Sequence, residues 1–236
     1  MANKAFANWK TQNQEAVLDD NDFYMLGEVY GYGISGKQYY DFGDRKVDYF
    51  AHGFNSLINF EFVYDAQRSY EFVYSKYDSL LKTEELKDKG VTSYISSHDD
   101  GNPYDAKRVR SIESANKLLL APGSIQIYYG DETARSLDIE GTQGDATLRS
   151  FMNWEDLETD SVQQILSHWQ KLGQFRKKHP SIGSGKHNLL SDMPYTFSRE
   201  NDEDKVIVGL DLENGPKTIA VEGVISEGVE LPDFYS

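Results

Sequence analysis

The chain has 236 residues, and 39 Asp plus Glu against 24 Lys plus Arg leave a formal charge of −15. Such a surface repels nucleic acid and anionic membranes and makes a phosphate-rich ligand a poor first choice. With no cysteine, disulfides and thiolate metal sites are excluded; no apolar run approaches membrane-spanning length, and residues 1–10 lack the apolar core of a signal peptide.

In chain order, Phe6, Trp9, Ala16 and Val17 keep rough helical spacing before the turn-like Asp19-Asp20-Asn21-Asp22. Strand-like runs follow at 23–27, 57–62, 91–96 and 124–129. Between them lie helical stripes: Tyr70, Val73, Tyr74, Tyr77 and Leu80; then Val109, Ile112, Ala115 and Leu119. A third stripe runs through Val162, Ile165, Leu166, Trp169, Leu172 and Phe175 and stops at Lys177-Lys178-His179-Pro180. Strands alternating with helices predict an α/β fold with a parallel sheet and right-handed crossovers. After residue 182 the pattern changes to the two-residue period of an antiparallel sheet: Val206, Val208, Leu210 and Leu212 form one strand, with Tyr195–Ser198 and Thr218–Val221 as its neighbours. Four strand–helix units are half of an eight-stranded barrel, and four strands cannot close at barrel geometry. The expected architecture is therefore the second half of a (β/α)8 TIM barrel over residues 1–182, followed by a partial antiparallel β-sandwich domain over 183–236.

Two of the predicted strands run into carboxylates. Phe23–Gly27 leads to Glu28, and Val91–Ser97 leads to His98-Asp99. The C-terminal ends of parallel strands are where α/β proteins do chemistry. Either acid alone reads most simply as a solvated loop carboxylate or a helix cap. Together with Glu61 or Asp65, Asp100, and Asp131-Glu132 after the other strands, they predict an acidic rim. Such a rim suits a transition state that gains positive charge, as an oxocarbenium ion does.

Gly31-Tyr32-Gly33-Ile34-Ser35-Gly36 matches the G-x-G-x-x-G dinucleotide fingerprint. Against that reading, residues 37–44 show no amphipathic stripe to start a helix, Glu28 would sit beside a pyrophosphate, and the net charge opposes an anion. The stretch is expected either as a mobile loop, with Tyr30, Tyr32, Tyr39 and Tyr40 as sugar-contacting candidates, or as a purely structural loop. The five histidines show no ligand spacing, no regular calcium loop is present, and no G-x-S-x-G elbow occurs.

Phe23–Val29 resembles the strand-five motif of the α-amylase family of glycoside hydrolases, and Ser97-His98-Asp99 is similar to the strand-seven motif, usually Asn-His-Asp. Pro122–Glu132 resembles the strand-eight segment, and Arg149–Trp154 a later Arg-x-Pro-Met-x-Trp segment, with Phe151 in the place of Pro. The resemblance implies Glu28 as general acid/base, Asp99 as transition-state stabiliser, and His98, Tyr30 and Arg149 as substrate-binding residues. It implies retaining hydrolysis of α-1,4-glucosidic bonds in starch or maltodextrins, with an α-glucan as partner. An α-glucosidase or transglycosylase of the same family, or a non-catalytic α-glucan-binding chain, are the alternatives. Ser97 in place of Asn is expected to weaken hydrogen bonding around Asp99.

The family's nucleophile is the Asp of a Gly-Phe-Arg-x-Asp motif on strand four, absent from these 236 residues. The chain alone is therefore expected to be inactive, to take the N-terminal half of the barrel as a partner, and to associate or misfold through its open sheet. No cofactor or metal is expected here, although the resemblance allows calcium in the full-length enzyme and an extracytoplasmic or secreted location.

Overall fold

A computed structural model describes residues 1–213, 215–221 and 223–235. Its centre is a four-stranded parallel sheet of β1 (Leu26–Gly27), β4 (Ser56–Asn59), β5 (Gly90–Ser93) and β6 (Ser124–Ile125), in that spatial order. Sequence order and spatial order agree, as expected of successive crossovers, and β1 and β6 form the two edges. A two-stranded ribbon, β2 (Tyr40–Asp41) and β3 (Lys46–Val47), rises from the loop between β1 and β4.

Helix α1 (Ala2–Gln12) precedes the sheet. Every parallel strand is shorter than its apolar run, and after β4 and β6 side-chain bonds turn the chain away from the sheet. The Asn59 side-chain oxygen accepts from the Ile34 and Glu61 amides, which turns the chain out of β4 into the short helix α2 (Phe62–Asp65). The run predicted as a strand over 57–62 thus ends in a helical turn. Beyond Ile125, the Gln126 amide still reaches the Ser93 carbonyl at 2.8 Å. Tyr128 is then folded back by a bond from its amide to the Asp131 carboxylate.

Helix α3 (Tyr70–Leu81) begins where the Ser69 hydroxyl accepts from the Phe72 amide, and it buries Val73, Tyr74 and Tyr77 of the expected stripe. Tyr77 meets Asn59 of β4, whose amide also reaches Ser93 of β5. That places Leu57, Asn59, Val91 and Ser93 on the helix-covered face, while Ser56, Ile58, Gly90 and Thr92 alternate to the other. Helix α4 (Ser111–Leu119) starts later than the stripe suggested. Val109 is left exposed, because Asp105 accepts from the Val109 and Arg110 amides and holds them in the preceding turn. Helix α5 (Asp160–Lys178) packs on α4 through Trp169 and Leu172. Near its end Arg176 donates to the carbonyls of Leu119, Ala121 and Gly123, groups that the end of α4 leaves unpaired.

After α6 (Ser181–Ser184), an antiparallel sheet forms from β7 (Lys186–Asp192), β8 (Tyr195–Glu200) and β9 (Lys205–Gly209). Its third strand is β7. Residues 218–221, expected as a strand, are irregular, whereas Lys186–Asp192, with its mixed apolar and charged sequence, pairs along its length with β8. One buried apolar cluster takes in both sheets, running from Leu57, Tyr74 and Leu118 to Phe197, Val206 and Leu210. Among the described residues no helix is long and apolar enough to cross a membrane.

Candidate active site

Glu28 is the residue after β1. It is exposed and, among the described residues, has no hydrogen-bond or ion-pair partner. Gly27 pairs with Leu57, and Leu57 with Val91. The strand that delivers Glu28 therefore lies two positions from β5, which delivers Asp99, or about 10 Å at ~4.8 Å per strand. Both acids leave the same, C-terminal, end of the sheet.

Asp99 is half-buried and held from both sides. The Ser97 hydroxyl donates to its Oδ1 at 3.1 Å and also accepts from the Asp100 amide at 3.0 Å, while His98 Nε2 lies 3.3 Å from its Oδ2. Ser97 thus bonds Asp99: its short side chain reaches the carboxylate through a local turn. Arg149 approaches from the far loop. Its Nε donates to the His98 carbonyl at 2.9 Å and its Nη2 to Asp145 at 3.2 Å, so Arg149 is brought to the His98-Asp99 turn.

Tyr30, 76% exposed, stands edge-on to Phe60 with ring centroids 5.2 Å apart, and Phe60 meets Tyr94 at 5.7 Å. This row of rings crosses the sheet end from β1 to β5, and Tyr94 completes it by donating to Asp100 at 2.7 Å. Phe60 and Tyr94 had no motif to single them out. The one available signal was that each lies within a predicted strand run.

Most of the expected acidic rim is already neutralised. Glu61 and Asp65 share Lys76 at 2.5 and 2.7 Å. Burial works to raise the Glu61 carboxyl, and the bonds from Lys76 and Ser35 outweigh it, leaving the group below its ordinary value. Asp131 is fully buried against Arg108 at 2.7 Å and accepts from Ser96 at 2.5 Å; desolvation nevertheless pushes its carboxyl up. Glu132 binds the Gly130 amide. Of the expected rim, Glu28, Asp99, Asp100 and Glu132 have no Lys or Arg partner among the described residues.

The glycine-rich stretch is structural. Tyr32 and Ile34 are wholly buried, which withdraws Tyr32 from sugar contact, and a 3-10 turn over Ile34–Gly36 leads into Lys37 at φ 54° rather than into a helix. Glu61 binds both the Ser35 amide and hydroxyl, the donors a phosphate would need. A Cβ on Gly33 would come within 2.6 Å of that carboxylate, so its small size serves the Glu61 contact. Among the described residues no group of three or more His, Asp or Glu side chains could hold a metal ion.

No family model matches the chain. A periplasmic alpha-amylase of Escherichia coli (strain K12) is 38% identical over 210 residues, which cover 88% of this chain and 29% of that protein. The chain thus spans under a third of the length of that relative. Among solved structures, an alpha-amylase from H. orenii superposes with a TM-score of 0.53 at 19% identity, over 86% of this chain and 46% of the other. A cyclomaltodextrin glucanotransferase, CldA, superposes with a TM-score of 0.56 at 20% identity, over 86% and 40%. The strand-five and strand-seven motifs, carried to one end of a parallel sheet, and this relative and these folds over most of the sequence lead to one conclusion: the chain belongs to the α-amylase family of glycoside hydrolases.

Proposed function

We propose that these residues form the acid/base half of a retaining active site for α-1,4-glucosidic bonds in starch or maltodextrins. The observation that carries the reading is the contrast at one sheet end, where Glu28 is free while Asp99 is fixed by Ser97 and His98. A group that must give and take a proton needs an unoccupied carboxyl, whereas a group that stabilises a cation needs a set orientation. In this reading Glu28 protonates the glycosidic oxygen and later deprotonates the incoming water, and Asp99 faces the oxocarbenium-like carbon. Tyr30 offers an exposed ring to a sugar face, and Arg149 with His98 lines the adjoining subsite. A solved neighbour, AmyP, is described in complex with maltose, which supports an α-glucan as the ligand class.

The parallel sheet is, on this proposal, the second half of a (β/α)8 barrel, with the division near residue 182 separating it from a partial β domain. Exposed Phe23, Tyr24 and Leu26 on the β1 edge support a further strand docking there. The nucleophile then comes from residues outside these 236, about 5–5.5 Å from the acid as retention requires. The periplasmic relative supports an extracytoplasmic setting.

The test is reducing-sugar release from soluble starch by the purified chain and by Glu28→Gln, with circular dichroism confirming that both fold. The expected result is a folded chain without turnover, which gains hydrolysis when a strand-four segment is supplied and loses it again in Glu28→Gln. Turnover by the isolated chain that depends on Glu28 would overturn the external nucleophile. Equal activity of the Gln variant in the restored enzyme would overturn the acid.

A further inference from the structure

The antiparallel sheet is fastened to α3 by a buried polar chain. His187 of β7 and Arg199 of β8 are direct cross-strand partners, and both are buried. Arg199 Nε donates to His187 Nδ1 at 3.2 Å. Since a guanidinium can only donate, Nδ1 carries no proton, and Nε2–H donates to Glu71 Oε2 at 2.9 Å. The Tyr195 hydroxyl donates to the same Glu71 oxygen at 3.0 Å. The His187 amide donates to Asp78 at 3.1 Å, and Asp78 is paired with Lys82. The imidazole lies against the rings of Tyr74 and Phe197. Glu71, Tyr74 and Asp78 thus face His187 from α3, and Tyr195 and Arg199 from β8.

We propose that this junction is an acid-sensitive latch: protonation of His187 breaks the Arg199–His187–Glu71 chain and frees the β7–β8 hairpin from α3. A second imidazole proton has one place to go, Nδ1, where it meets the Arg199 N–H, donor against donor and cation against cation. Arg199 has nowhere better to turn. Its Nη1 is committed to the Ile182 carbonyl, and its Nη2 has no hydrogen-bond partner among the described residues. Glu71 and Asp78 favour the imidazolium, but burial and then Arg199 oppose it and prevail, holding His187 below the usual histidine range. Arg199, lowered by burial to about 10, keeps its charge throughout.

A depressed folded-state value means that the latch is fully closed above the ordinary imidazole range and opens as pH falls through the lower, folded value. The other end of the sheet is held by contacts that involve neither His187 nor Arg199. Asp204, in the turn between β8 and β9, accepts from the Ser181 amide at 3.1 Å and the Ser181 hydroxyl at 2.6 Å. Acid therefore frees the hairpin while the β8–β9 turn stays pinned, a local opening rather than global unfolding.

Amide hydrogen exchange on the chain at pH 7.5 and 5.5, corrected for intrinsic rates, tests this. Protection of β7 and β8 should fall several-fold on acidification, up to the roughly tenfold ceiling for one imidazole, while β4 and β5 keep theirs, and His187→Gln should abolish the difference between the two pH values. Unchanged β7 and β8 protection, or the same pH response in His187→Gln, would overturn the latch. Imidazole NMR of the unsubstituted chain is a second check that needs no variant. It should find the Nε2–H tautomer and a titration below that of free histidine, in step with hairpin opening; titration at or above free histidine would equally overturn it.

Discussion

Replacing Asp131 by Ala removes the acceptor that gathers three segments beside the site. Its Oδ1 takes bonds from Arg108 at 2.7 Å and Ser96 at 2.5 Å, and its Oδ2 takes the Tyr128 amide at 3.2 Å. At 2.7 Å the charge pair alone is worth about 6 kcal/mol at an effective dielectric constant of about 20. For the carboxylate itself that is more than offset by the cost of burying it, which shows as its raised pKa. What remains after deletion is a buried guanidinium whose Nε still reaches the Arg135 carbonyl but whose charge has lost its partner. Breaking a buried pair in this way costs about 3–5 kcal/mol. Asp131→Asn, which keeps an oxygen for Ser96, should lose about half as much. Urea unfolding followed by circular dichroism reads both values. The single variant Arg108→Met and the double variant Arg108→Met/Asp131→Ala close the cycle, and the double variant should recover much of the loss, because both desolvated charges are gone. A cost below about 1 kcal/mol for Asp131→Ala, or strict additivity in the double variant, would refute the assignment of this pair as the pin of the loop.

Tyr32→Ala should destabilise by about 3–5 kcal/mol by emptying a core position. Tyr30→Ala should leave the unfolding midpoint nearly unchanged and weaken maltodextrin binding in calorimetry. Ser97→Ala, which unties Asp99, should lower kcat of the restored enzyme with little change in KM, and Ser97→Asn should recover it. The Glu61 carboxyl lies below its unfolded value, so its contribution is complete above the unfolded pKa and is lost as pH falls through the folded one. An acid-unfolding titration should therefore be shallower for Glu61→Gln than for the unsubstituted chain.

Much of the site is legible in one dimension because strand ends are. An apolar run followed by an acid puts Glu28 and Asp99 on the same end of a parallel sheet whatever else the chain does. The stripe Tyr70, Val73, Tyr74, Tyr77, Leu80 became α3 because helical period and the Ser69 cap are both local. The boundaries were less legible. Asn59 ends β4 by binding the Ile34 amide, a contact between residues far apart in sequence that no window along the chain contains. The strand Lys186–Asp192 was hidden for a related reason. Its inward residue His187 is polar, and it is buried because Glu71 and Arg199 satisfy it, not because it is apolar.

The sequence by itself determined where carboxylates occur relative to strand ends, and the motifs that identify the family, since these depend on order and period alone. Only the tertiary structure decided which of those carboxylates are free. Lys76 and Arg108 lie in elements separate from the acids they neutralise, and burial sets how strongly each pair holds. Glu28, in contrast, has no such cation near it among the described residues. That is a property of packing in three dimensions, because an ion pair is made by distance and desolvation rather than by neighbours along the chain.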